Sequence, residues 1–146
     1  MIEQSLAEAE VKQVVDDWYR ALDVHAPVEQ LLPMLADDGL EMRFPEATVR
    51  GHEGFKGWYH AVTNRFFDEV HTMQQLDIQP NAEEAKVKLV VNWQAHIWEP
   101  PAPKSKWLGF DAAQTWVMRR SPQTQKPVIV TYIVDGLTPM PGSATL

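Results

Sequence analysis

The sequence predicts an α+β domain in which helices close the concave face of a curved, mainly antiparallel sheet around an aromatic-lined pocket. Three observations predict it. Helical periodicity fills the first half of the chain, period-two alternation fills most of the second, and the two do not interleave as they would in an α/β fold. The chain has 146 residues, which suits one domain with a single core. The domain is taken as 1–146, with 1–10 and 136–146 peripheral.

The first helix is marked by Ile2, Leu6, Val11, Val14, Val15, Trp18 and Leu22, which fall on one face. Glu3, Glu8, Lys12 and Asp16 sit largely off that stripe. Ser5 to Glu8 has the form of a capping box, while Ile2 allows an earlier start. A second, short helix is expected from Pro27 to about Ala36, since Pro27 suits a first turn and Gly39 follows the end. Pro33 lies too far inside it, so a kink or a split into two turns is expected. Leu40 to Phe44 alternates and is stopped by Pro45, and Thr48 to Arg50 forms a stub strand beside it. A third helix spans His52 to about Phe67, with Phe55, Trp58, Tyr59, Val62 and Phe66 on its buried face.

Long strands follow. The expected spans are His71 to Gln79, Ala85 to Trp98, Trp107 to Arg119 and Val128 to Asp135, joined at Pro80-Asn81, Glu99–Lys106 and Ser121–Pro127. Val87, Leu89, Val91, Trp93, Ala95 and Ile97 form the inner face of one strand. Leu108, Phe110, Ala112, Gln114, Trp116 and Met118 form that of the next, and Val128, Val130, Tyr132 and Val134 that of the last. His71 and Met73 share one parity but Leu76 and Ile78 the other, which predicts a bulge near Gln74-Gln75.

Composition excludes several functions. The net charge is −7 and no basic cluster stands out, so nucleic acid and anionic membrane are poor partners. The absence of cysteine removes disulfides and thiolate chemistry. No apolar run approaches the roughly 20 residues of a membrane span, and the amphipathic, acidic start does not read as a signal peptide. A cytoplasmic protein is expected.

The ordered segments Trp18-Tyr19-Arg20-Ala21-Leu22-Asp23, Met34-Leu35-Ala36-Asp37-Asp38, Met42-Arg43-Phe44-Pro45 and Gly51-His52-Glu53-Gly54-Phe55-Lys56-Gly57-Trp58-Tyr59, followed by the strand meander, carry a resemblance. From about Val11 to Val134 the chain resembles the nuclear transport factor two-like superfamily, in its SnoaL-like and ketosteroid-isomerase-like branch. The resemblance implies a cone-shaped α+β roll with an internal pocket. It leaves function open, because members include isomerases, cyclases, dehydratases, hydrolases and non-catalytic binding modules. The isomerases' catalytic tyrosine, base aspartate and protonated aspartate align with Trp18, Phe44 and Gln114. None keeps the required group, so steroid isomerisation by that constellation is not expected.

The candidate ligand-binding residues are Trp18, Phe44, Tyr59, His71, Trp93, Gln114, Trp116 and Tyr132. His71 is the best candidate general base, because imidazole titrates near neutrality. Its plainer reading is a strand histidine bonded to solvent or a carboxylate. Tyr59 and Tyr132 are the other catalytic candidates, and their plainer reading is a phenol anchored to Gln114 or a backbone group. The tryptophans read equally as core or as an aromatic box. Asp37-Asp38 reads as a solvated turn, and His25, His52, His60 and His96 lack metal-ligand spacing, so no metal is expected.

Two functions remain open. One is a cofactor-free lyase, cyclase or isomerase that moves a proton on a small apolar or aromatic molecule, with His71 as base and the phenols and Gln114 stabilising an enolate oxygen. The other is a non-catalytic ligand-binding or assembly module. A homodimer is expected through the outer sheet face, where Val90, Trp98, Trp107, Ala113, Thr115, Val117, Ile129, Thr131 and Ile133 are too apolar or β-branched for a solvated surface.

Overall fold

A computed structural model describes residues 6–146. Ile2, Glu3 and Ser5, used above to place the helix start, lie outside the described residues. Helix α1 runs Glu8–Asp23, and the Glu10 carboxylate accepts the Ala7 N–H at 3.2 Å, closing its first turn. Val11, Val15, Trp18, Tyr19 and Leu22 form its buried stripe. Tyr19 is an addition to the expected stripe. The second helix splits as Pro33 predicts, into α2, Val28–Leu31, and a 3₁₀ turn, Leu32–Met34. Helix α3 spans Gly51–Arg65, so Phe66 opens the next strand instead of closing the helix.

The strands are β1 Glu41–Arg43, β2 Thr48–Arg50, β3 Phe66–Pro80, β4 Glu84–Ile97, β5 Lys106–Arg120 and β6 Pro127–Pro139. They form one sheet in the order β2-β1-β6-β5-β4-β3. All neighbours are antiparallel except β1 and β6, which run parallel with Met42 opposite Tyr132. Three helices cover one face of this bent sheet, which gives an α+β cone. Helix α1 lies against β3 and β6, and α3 against β2 and β3. Trp18, Trp116, Phe55 and Met42 are fully buried between the layers.

Bulges set the curvature and the facing of side chains. One shifts the register between Met73 and Gln75, where the phase break predicts it, and Met73, Leu76 and Ile78 pack on the core. A second lies between Phe67 and Val70: β3 advances from Phe67 to Val70 while β4 advances only from His96 to Gln94. Asp68, inside it, takes a left-handed φ of 52°. Two more shift β6 against β5. They correct the expected facing of the last strand: Ile129 is buried in the core instead of facing out, and it replaces Val130 on the inner face. The odd-even rule fails there because each extra residue inverts the alternation.

The last strand also runs past the expected Asp135. Leu137 packs on the core. The tail then follows β5, with Met140 N–H donating to Gly109 O and Ala144 N–H to Trp107 O, both at 2.9 Å. Asn92 Nδ2 lies 3.2 Å from the Met140 sulfur, so the tail shields part of the outer face.

Candidate functional site

A cavity of about 560 Å³ opens between α3, the bent sheet and the tail. Its wall is mostly apolar, and the polar groups are few. Phe44, Tyr59, His71, Trp93, Gln114 and Tyr132 all line it. Trp18 and Trp116 do not, which corrects their expected place in the ligand set. Trp18 is packed behind the wall by Phe55 at 5.5 Å and Tyr132 at 5.9 Å between ring centroids. Trp116 sits behind Tyr132, with ring centroids 5.0 Å apart. Both are therefore core supports for the wall.

His71 stands on β3 with its side chain one-tenth exposed. Its Nδ1 lies 2.6 Å from Asp23 Oδ1, and its backbone N–H donates to Asp23 Oδ2 at 3.2 Å. Asp23 is the last residue of α1, so the helix end delivers a carboxylate to the strand. An ionised carboxylate only accepts hydrogen bonds, so Nδ1 carries the hydrogen of that bond, and in the neutral tautomer this selects the lone pair sits on Nε2. The Tyr19 ring lies against the imidazole, with centroids 4.8 Å apart. An imidazole gripped in one tautomer beside an apolar cavity is a preorganised proton acceptor.

Gln114 is fixed by two donors. Trp116 Nε1 and the Tyr19 hydroxyl both bond its Oε1, each at 3.0 Å. An indole N–H can only donate, so the oxygen end of the amide must face it and the –NH₂ end faces away. Gln114 lines the cavity and so brings an amide donor to it. Tyr132 lies beside Tyr19, Trp18 and Gln114, and burial raises its pKa. Tyr19 is pushed well above the usual phenol value by burial first, then by Tyr132. Both phenols therefore stay protonated, and Tyr19 donates to Gln114. Tyr59 donates to Ala26 O at 2.6 Å, tying α3 to the turn after α1. Its pKa is pushed up to about 12 by burial and then by the Glu69 charge.

Sequence reasoning missed Asp23, Tyr19 and Glu69. Glu69 lines the same cavity, where it accepts from Trp93 Nε1 at 3.0 Å and contacts His25 Nε2. Asp23 had no local signal, because its partner lies 48 residues away. Glu69 had one: Phe66 and His71 have opposite parity yet share the inner face, which requires a bulge between them. Among the described residues no group of His, Cys, Asp and Glu forms a metal-binding cluster. No helix among them is long and apolar enough to cross a membrane.

A helix-capped cone around an apolar cavity with few fixed polar groups defines a small-molecule-binding class of domain. Residues 3–123 match the family model of the SnoaL-like domain, and the chain belongs to that family. Solved structures share the fold. A protein of unknown function with a cystatin-like fold from Nostoc punctiforme is 18% identical, with all of both chains covered and a TM-score of 0.72. A hexachlorocyclohexane dehydrochlorinase from Novosphingobium barchaimii is 17% identical over 94% of this chain and 92% of that one, with a TM-score of 0.74. A nuclear transport factor 2-like superfamily protein from Salmonella enterica is 12% identical over 94% and 91%, with a TM-score of 0.70. At these identities the likeness is one of fold. No curated protein matches the sequence.

Proposed function

We propose that this protein is a lyase that works by acid–base chemistry alone on a small apolar or aromatic molecule. His71 Nε2 takes a proton from carbon beside an activating carbonyl, and a group on the next carbon departs. The Asp23 carboxylate stabilises the imidazolium as it forms. The Gln114 amide and the Tyr132 hydroxyl bond the developing enolate oxygen. One observation carries this reading: the Asp23–His71 pair leaves a free Nε2 on an apolar cavity wall. A purely ligand-binding module has no use for an oriented base there. The structural neighbour named as a dehydrochlorinase removes hydrogen and chlorine from its substrate by that name, which belongs to the same class of reaction.

The test uses a β-chloro-β-phenyl ketone that eliminates to benzalacetone, followed by its ultraviolet absorbance. Wild type is expected to exceed the spontaneous rate, and His71→Gln to lower the enzymatic part by about 10²-fold or more, the usual worth of a general base. An undiminished His71→Gln rate in a folded variant overturns the reading.

The protein is also read as a homodimer through the outer sheet face. The register makes Val90 and Ala113 neighbours, likewise Thr115 and Ile133, and Val117 and Thr131. These six form the contiguous outward patch left after Ile129 turns inward and the tail shields the Asn92 region. An apolar and β-branched patch of this kind favours pairing with a second copy.

A further inference from the structure

Besides the Asp23–His71 pair the cavity wall carries Glu46, Arg65 and Glu69, and of these only Glu69 is not exposed. Glu69 sits two residues before His71, and its side chain is only one-tenth exposed. Burying a carboxylate in an apolar wall is costly unless it is paired. Here the pairing comes from His25 Nε2 on one oxygen and Trp93 Nε1 on the other. A carboxylate has about four acceptor sites, so these two partners leave capacity free.

The backbone is distorted to put it there. Without the extra residue between Phe67 and Val70, strand alternation from the inward Phe66 would turn Asp68 and Val70 inward. With it, Asp68 and Val70 are exposed, and Glu69 and His71 both line the cavity. Asp68 takes up the distortion with its left-handed φ, a conformation that aspartate tolerates better than most residues. The Glu69 partner His25 also has a left-handed φ, of 49°, in the turn that ends α1. Two unusual backbone positions thus converge on one carboxylate. Bulges next to functional sites commonly re-aim a side chain in this way.

The His25 side chain is 28% exposed, more open than Glu69. A proton can therefore pass from solvent to His25, then to Glu69, then into the cavity. The other groups that face Glu69 do not supply that route. The Tyr59 proton is committed to Ala26 O, Trp93 does not titrate, Arg65 is a guanidinium that gives up no proton, and Glu46, exposed on the same wall, is held by Trp58 Nε1 and makes no bond to Glu69. His71 is the opposing base.

We propose, resting on the lyase reading above, that Glu69 is the acid that protonates a leaving hydroxyl, with His25 as the positioning residue that supplies its proton, so that the preferred substrates are β-hydroxy carbonyl compounds. The balance is complete. His71 removes the proton α to the carbonyl, the C–O bond to the β-hydroxyl breaks, and Glu69 gives its proton to the departing oxygen. The products are an enone and water. His71 then releases its proton to solvent, and Glu69 regains one through His25. A departing halide needs no proton, so it gains nothing from the acid. A hydroxide, by contrast, leaves poorly until it is protonated. The carboxylate therefore selects for dehydration over dehydrohalogenation.

The test compares two probes with one product. The benzaldehyde–acetone aldol and the corresponding β-chloro ketone both give benzalacetone, and spontaneous rates are subtracted. The quantity read is the ratio of hydroxyl to chloride elimination. Glu69→Gln is expected to lower that ratio by about 10²-fold, since general-acid assistance is worth 10² or more. His25→Gln is expected to lower it in the same direction by a smaller factor, through kcat and not KM, and serves if Glu69→Gln does not fold. A ratio unchanged in both variants overturns the proposal, as does an equal loss of both reactions. His71→Gln separates the two readings: it should depress both reactions alike. If it depresses neither while the Glu69→Gln ratio still falls, the base assignment fails and the acid assignment stands. A wild-type protein that eliminates neither probe overturns both.

Discussion

The Asp23 carboxylate holds His71 by ring and backbone at once, with Oδ1 2.6 Å from Nδ1 and Oδ2 3.2 Å from the amide nitrogen. Two acceptors on one side chain are needed for this grip. Asp23→Asn offers one oxygen and one –NH₂ group, so it must set a donor against either the backbone N–H or Nδ1. In the second case the imidazole turns to the tautomer that carries hydrogen on Nε2 and cannot act as a base. Asp23→Asn is expected to lower kcat for benzalacetone formation by about 10²–10⁴-fold with a smaller change in KM. Steady-state kinetics on the chloro ketone checks it, and an unchanged kcat would separate Asp23 from the chemistry.

Gln114 is structural as well as polar. Its Oε1 satisfies both Trp116 Nε1 and the Tyr19 hydroxyl. Gln114→Leu leaves two buried donors without that acceptor, and each costs about 1–3 kcal/mol. The midpoint of urea unfolding should fall accordingly. Gln114→Glu keeps an acceptor and is expected to be the milder change, so equal destabilisation by the two would show that the acceptor is not what matters.

Stability should decline in acid through Glu10. The Arg120 guanidinium bonds both of its oxygens, at 2.8 and 2.9 Å, and with the Ala7 N–H holds its pKa below the ordinary 4.5. A carboxylate lowered in the folded state adds stability above its unfolded pKa and loses it as pH falls through the folded one. Glu10→Gln should therefore lower the melting temperature modestly near neutral pH. The gap from wild type should close well below pH 4.5. Solvent screens this pair, so the effect is small at any pH. A gap that widens in acid would reverse the sign and reject the assignment.

Val117 lies on the outward patch, opposite Thr131. Light scattering across a dilution series is expected to give a dimer for wild type and a mass of 16.7 kDa for Val117→Glu. The cavity lies on the other face of the sheet, so benzalacetone formation per chain should be little changed. A wild-type mass of one chain at micromolar concentration rejects the dimer.

Periodicity in the sequence determined the helices, the long strands and the inner faces of β4 and β5. Those are local properties: every second or every third to fourth residue is apolar because one face is buried. Pro33 announced the split after α2, and the parity change from Met73 to Leu76 announced one bulge. Only the tertiary structure decided which buried aromatics touch the cavity. Trp93 and Trp116 obey the same alternation, yet one lines the space and the other stands behind Tyr132, because burial alone does not distinguish a wall from the core behind it. Only the tertiary structure joined Asp23 to His71 and His25 to Glu69, since each pair meets where the end of α1 crosses the start of β3. The Phe67–Val70 bulge was hidden for a related reason. Reading Phe66 as helix removed the parity conflict with His71, and that conflict was the one local sign that Glu69 faces inward.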